Sequence, residues 1–252
     1  MIDSLEVEAR DGTWTFTLNR PDKLNALNAA LVERVLNAVE QANAQKARLL
    51  VFRGAGKSFC AGFDLSGIDA QSEGDLVLRF IRIEMLLQAI AKSSAPTLAL
   101  VHGKVFGAGV DLFSVCRHRI AAPGSVFRMP GLKFGLVLGT RRFASVVGAE
   151  KARQILEETN AFTAEEALEM HLAHKLTSPD EWEWITASVR EKTQALDDVA
   201  RDDLYRVLSS GQSETDLSNL VRSAARPGLK ERLRSYLRTV HEPRRDVSRT
   251  QV

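Results

Sequence analysis

The chain has 252 residues, 44% hydrophobic and 26% charged, a balance that supports one globular domain with a sizeable core. Its 34 basic residues against 32 acidic ones leave a net charge of +2, too even to argue for a nucleic-acid partner. Two cysteines without a CxxC pair, and no histidines at ligand spacing, argue against a disulfide framework or a zinc site. "MIDSLEVEAR" lacks the basic and apolar regions of a secretory signal, and no apolar stretch approaches the 18 residues of a membrane span. The expected location is therefore the cytoplasm.

"SLEVEA" and "TWTFTLN" alternate apolar and polar residues around Asp11-Gly12, which predicts a hairpin. The turn "NRPDKLNA" leads into a helix from about Asn28, with Leu31, Val35, Ala38, Val39 and Ala42 on one face. "RLLVFRG" is a continuous apolar run ending at Gly54, the pattern of a strand covered on both faces. A long loop, "GAGKSFCAGFDLSG", precedes a helix from about Asp75 to Lys92. "PTLALVHG" predicts the next buried strand, "AGVDLFSVC" a helix, and "RHRIAA" and "SVFRMP" two short strands. Beyond about Thr140 helices dominate, and Thr163 with Glu166 forms a capping box. Amphipathic helices run from about Glu181 to Val240, broken at "SSGQS" and "RPG", and "EPRRDVSR" reads as a solvated, frayed tail. Strands alternating with helices in the first 140 residues predict an α/β fold.

Two nucleotide readings fail on spacing. "GAGKS" has Val51 where a phosphate loop needs glycine, and "FGAGVD" has Leu112 at the last glycine of the dinucleotide fingerprint. No serine stands in a G-x-S-x-G elbow. Two loops after buried strands remain, "CAGFDL" (Cys60 to Leu65) and "VFGAGVDL" (Val105 to Leu112). Each alone is an ordinary tight turn beneath a helix. Together, their small residues let two N–H groups converge on one oxygen, with the helix N-terminus adding partial positive charge.

"LNRPDKLNALNAALV", "LVFRGAGKSFCAGFDL", "APTLALVHGKVFGAGVDL" and "TAEEALEMHLAHKL" resemble, in order and spacing, four motifs of the crotonase superfamily, the enoyl-CoA hydratase/isomerase family. The resemblance covers roughly residues 10 to 178. It implies a crotonase-type spiral of ββα units with a helical C-terminal region, assembled as a homotrimer or a dimer of trimers. The implied division is residues 1–195 as the core with the acyl-CoA site and 196–252 as a helical trimerisation or lid region. It also implies that the Phe63 and Ala108 N–H groups hold a thioester oxygen. Ala61, Gly62, Asp64, Leu65 and Gly107 would surround that site. Lys57 would lie near the CoA phosphates, and Lys23, Leu24 and Ala26 beside the pantetheine and adenine. No cofactor is implied beyond the coenzyme A of the substrate.

Proton transfer at the acyl α-carbon builds negative charge on the thioester oxygen, which two preorganised donors stabilise. Asp111 follows Ala108 by almost one helical turn and is expected to move the proton, although an acidic residue there also simply suits a helix first turn. Family hydratases carry glutamate at this position and a second glutamate in "FxxPE". Here "FRMPG" has Pro130 followed by Gly131. A single carboxylate suits a 1,3-proton shift, whereas hydration uses two groups well. Isomerisation is thus favoured, with hydration, loss of activity, hydrolysis and decarboxylation left open.

Other departures are Arg141 and Arg142 in a shortened "LVLGTRRFA" and Arg117 in "CRHRI". Glu84 reads as a partly exposed or paired helical carboxylate that could instead face the acyl pocket. Arg128 and Lys133 read as surface cations that could instead bind an acidic acyl group. His102 and His118 read as structural, and His171 and His174 as solvated.

Overall fold

A computed structural model describes residues 4–208 and 211–241. The expected frayed tail, "EPRRDVSR", lies outside the described residues. Strands β1 (Leu5–Arg10) and β2 (Thr13–Leu18) form the expected hairpin, and both turn residues have left-handed φ, 51° at Asp11 and 77° at Gly12. Helix α1 (Ala29–Ala44) starts where Asn28 Oδ1 accepts the Leu31 N–H at 2.9 Å, and buries Leu31, Val35 and Val39 along one stripe.

The chain continues through β3 (Leu49–Gly54), α2 (Glu73–Ala91), β4 (Thr97–Val101), β5 (Lys104–Phe106) and α3 (Ala108–Val115). Next come β6 (His118–Ala121), β7 (Val126–Arg128), α4 (Thr140–Val147), α5 (Ala149–Glu158), β8 (Ala161–Thr163), α6 (Ala164–Glu169) and β9 (Lys175–Leu176). Four helices complete the described chain: α7 (Trp182–Gln194), α8 (Asp198–Leu208), α9 (Ser213–Ala224) and α10 (Leu229–His241).

A six-stranded sheet has the order β1-β2-β3-β4-β6-β9, antiparallel only at β1-β2. A three-stranded sheet has the order β5-β7-β8, with β5-β7 parallel. Both β4-β5 and β6-β7 send one strand to the large sheet and the next to the small one before the chain turns helical. This generates the spiral of ββα units.

The continuous apolar runs have a direct cause. Leu50, Phe52, Ala99 and Val101 face the main core, while Leu49, Val51, Leu98 and Leu100 pack with Ile185 of α7 on the opposite face. Strands β8 and β9, three and two residues long, carry no periodicity and were not expected. The capping box at α6 is present, with Glu166 Oε2 accepting the Thr163 N–H at 2.7 Å.

A second core joins Ile68, Leu76 and Phe80 to Phe134 and Leu136, and to Leu220, Leu229 and Leu233 of α9 and α10. The last two helices thus pack against α2 of their own chain. No helix among the described residues is long and apolar enough to cross a membrane, and no His/Cys/Asp/Glu cluster there could hold a metal. His174 is exposed, as expected, but its Nε2 lies 2.7 Å from Arg119 Nη2, and partial desolvation, then Arg119, lowers its pKa to about 4.

Candidate active site

The loops after β3 and β5 are pressed together. Cys60 pairs with Val105, its N–H donating to Lys104 O at 3.2 Å and its carbonyl accepting the Phe106 N–H at 2.9 Å. Gly62, at φ +85°, permits this approach; a Cβ there would lie 2.5 Å from Phe106 O and 3.3 Å from Ala108 N. Neither the Phe63 nor the Ala108 N–H donates to a backbone carbonyl among the described residues. The Phe63 ring stacks on Phe80 at 4.1 Å, with the Arg79 guanidinium 4.0 Å from its centroid. Two free donors therefore sit on adjoining loops held by packing.

Asp64, expected at the ligand, instead commits its carboxylate to Ser66 in its own loop and to Arg20 on the turn after β2. It pairs with Arg20 at 2.9 Å and accepts the Ser66 N–H and hydroxyl at 2.9 and 2.6 Å. Burial alone would raise its pKa, but Ser66 and Arg20 outweigh burial and hold it below the ordinary value.

The turn bearing Lys23, Leu24 and Ala26 lies against the loop bearing Lys57. Asn25 joins them, its buried amide donating to Ala55 O at 2.9 Å and Ser58 O at 2.8 Å. The backbone at Leu24 and Asn25 is left-handed, and Leu24 O accepts the Ala61 N–H at 2.9 Å. Lys23 and Lys57 are both exposed on adjacent turns that lead to Ala61. Asn25 was missed from sequence; asparagine's tolerance of this conformation was the available signal.

A cavity of about 110 Å³ opens at these loops, walled by Phe63, Phe80, Phe106, Met129, Phe134 and Leu138. Ala61, Leu65, Gly107, Ala108, Pro130 and Gly131 also line it, whereas Lys23, Leu24, Ala26, Lys57, Gly62 and Asp64 do not. Its polar side chains are Asp111, Thr140 and Tyr236. Tyr236 comes from α10, too distant in sequence for any local pattern to reveal. A Cβ at Gly131 would meet only Leu136 O, at 3.4 Å, so that position has room for a side chain.

Asp111 is 5% exposed, and its Oδ1 has no hydrogen-bond partner among the described residues. Burial pushes its pKa well above the ordinary value; Arg142 opposes the rise and Glu84 adds to it. Glu84 is fully enclosed and paired with Arg142, so it does not face the cavity. Arg128 is turned to Thr159 O at 3.0 Å and Lys133 is exposed; neither lines the cavity. Arg117 clamps the carbonyls of Ala91, Ser93 and Ala95 and lies 3.7 Å over the Tyr205 ring.

A family model for enoyl-CoA hydratase/isomerase matches residues 8–221. A crystal structure of a Bordetella parapertussis protein, described as a putative enoyl-CoA hydratase/isomerase, is 50% identical and has a TM-score of 0.92, covering 95% of this chain and 99% of that one. EchA6 of Mycobacterium tuberculosis, described as a probable enoyl-CoA hydratase, is 36% identical over 205 residues, 80% of this chain and 81% of the relative. A crotonyl-CoA hydratase of Syntrophomonas wolfei is 32% identical over 190 residues, 71% of each chain.

Proposed function

Because the chain belongs to the enoyl-CoA hydratase/isomerase family, we propose that it moves a proton on an unsaturated acyl-CoA thioester. The thioester oxygen is held by the Phe63 and Ala108 N–H groups, and Asp111 takes and returns the proton. The observation that carries this reading is one buried, unpaired carboxyl lining a cavity beside two N–H groups that no backbone carbonyl occupies. As enolate character develops, both donors strengthen their hold; losing one typically costs ~2.7–4 kcal/mol in other enzymes. A proton affinity raised by burial suits Asp111 to act alternately as acid and base.

Double-bond isomerisation fits better than hydration. Gly131 supplies no carboxylate, and the other polar side chains of the cavity are the hydroxyls of Thr140 and Tyr236. The apolar walls suit an uncharged acyl group. Lys23, Leu24, Ala26 and Lys57 bound the coenzyme A portion, and Ala61, Gly62, Leu65, Gly107 and Pro130 shape its path to the reacting carbons; Asp64 acts by stiffening that loop. The chemistry needs no further cofactor. The buried, unbridged Cys60 and Cys116 support a reducing compartment such as the cytoplasm. Exposed Val199, Leu204, Val207 and Leu208 on α8 support a trimer or paired trimer in which another copy covers this helix. Residues 196–252 then serve assembly and, through Tyr236, close the acyl site of the 1–195 core.

Mass spectrometry after incubation with 2-enoyl, 3-enoyl and dienoyl CoA thioesters tests the reaction. Unchanged mass with altered retention is expected; a gain of one water overturns the preference for isomerisation. Gly131 specifically favours a second reading, an acyl-CoA-binding protein without turnover. Solvent-deuterium exchange at the acyl α-carbon that disappears in Asp111→Asn counts against that reading, and binding without exchange across the panel supports it. Free CoA or carbon dioxide would instead point to hydrolysis or decarboxylation.

A further inference from the structure

The charge of Arg142 on α4 bears on Asp111, and that cation is already occupied. Arg142 pairs with Glu84 of α2 through both terminal nitrogens, with Nη1 3.0 Å from Oε1, and the same Nη1 lies 3.0 Å from Asp216 Oδ2 of α9. Asp216 also accepts Arg141 Nε at 2.8 Å, and Gln88 Nε2 donates to Glu84 Oε1 at 2.9 Å. Arg142 is thus held between two carboxylates, neither of which is Asp111. The Glu84 side chain is 1% exposed and that of Asp216 9%, so water screens neither strongly.

Asp111 Oδ1 receives no hydrogen bond from this group or from any other described residue. Gly139 allows the α4 N-terminus to come up against the carboxyl; a Cβ there would lie 2.6 Å from Asp111 Cγ. Arg142, three residues after Gly139, therefore acts on Asp111 while its hydrogen bonds go elsewhere.

We infer that Glu84 and Asp216 are positioning residues for Asp111: by taking up the Arg142 guanidinium they keep it from closing an ion pair with Asp111, leaving that carboxyl free to exchange a proton with the ligand. The inference rests on the reading of Asp111 as the proton-transfer group. An arginine closed onto an aspartate fixes the carboxylate and lowers its pKa by about 1–3 units. Such a group would be a poor proton donor near neutral pH. The charged groups bearing on Asp111 are Arg142 from α4 and Glu84 from α2, with Asp216 of α9 acting through Arg142. The C-terminal helices consequently influence the proton-transfer group through charge as well as through the cavity wall.

The test reads Asp111 without requiring turnover. Infrared difference titration follows the protonated-carboxyl band that Asp111→Asn removes. Glu84→Gln leaves Arg142 undercompensated, and the midpoint of that band is expected to fall by about one pH unit or more, with the acid limb of the kcat profile moving alike. Glu84→Gln combined with Arg142→Gln removes one charge of each sign and is expected to return the midpoint to within about half a unit of the starting protein. If Glu84→Gln does not fold, Asp216→Asn is expected to move the midpoint in the same direction by less. Midpoints unmoved in the folded single variants, or a double variant that does not return, overturn the inference. Shifted midpoints in a protein that turns over no acyl-CoA support the ion-pair arrangement while overturning the catalytic reading; unmoved midpoints in an active enzyme overturn the arrangement alone.

Discussion

The two loops that meet at the cavity each bury an aspartate, and the two have opposite fates. Asp64 and Asp111 are both 5% exposed. In the first loop Ser66 and Arg20 reach the carboxylate and hold it charged below its ordinary pKa. In the second, one carboxyl oxygen has no partner, the nearby arginine is bonded to other acids, and burial raises the pKa. Equal exposure therefore does not decide charge; Asp111 lies deeper in the protein, and the donors beside Asp64 complete the difference. The partnered aspartate ties its loop to Arg20, and the other lines the cavity with one oxygen unpartnered.

That contrast breaks most sharply with Asp111→Asn. Turnover on the preferred acyl-CoA is expected to fall ~10²–10⁴-fold while thioester binding persists. Steady-state kinetics alongside calorimetric titration checks this, and turnover within about threefold of the unsubstituted protein would show that Asp111 contributes no general acid–base term.

Asp64→Asn should act on stability first. It leaves Arg20, whose side chain is only 15% exposed, without its countercharge, and is expected to cost about 3 kcal/mol of unfolding free energy in urea at pH 7. The sign follows from the lowered folded pKa. Stabilisation by Asp64 is full above its unfolded pKa of about 3.9 and is lost as pH falls through the folded value, so the deficit of the variant should shrink in acid.

Gly139→Ala probes placement without altering charge. The added Cβ collides with the Asp111 carboxyl, and a displacement of that kind is expected to lower kcat about 10²-fold with a smaller change in KM. Equal effects on both constants would show that the segment serves binding instead.

The smallest expected effect is a gain. Asp111 has a raised folded pKa, so its ionisation opposes folding. The penalty starts above the unfolded pKa of about 3.9 and grows until pH passes the folded value. Asp111→Asn should therefore stabilise the protein more at pH 8 than at pH 4. Thermal melts at the two pH values test the difference.

Local chemistry made much of the architecture readable from sequence. The Asp11-Gly12 turn, the Asn28 cap, the Thr163–Glu166 box and the apolar stripe of α1 all act within a few residues and emerge in the structure. The four ordered motifs likewise pointed to the family that the comparisons bear out. Strands β8 and β9 escaped because two or three residues have no period, and their pairing depends on strands far away in the chain. What lay beyond local reading was the wiring of charge. The sequence by itself determined that Asp64 and Asp111 follow small residues on two loops after buried strands. Only the tertiary structure decided that Ser66 and Arg20 serve the first, and that Glu84 and Asp216 draw Arg142 away from the second. The reason is physical: a turn or a cap is satisfied by neighbours in the chain, whereas a buried carboxyl takes its charge state from groups that folding brings beside it.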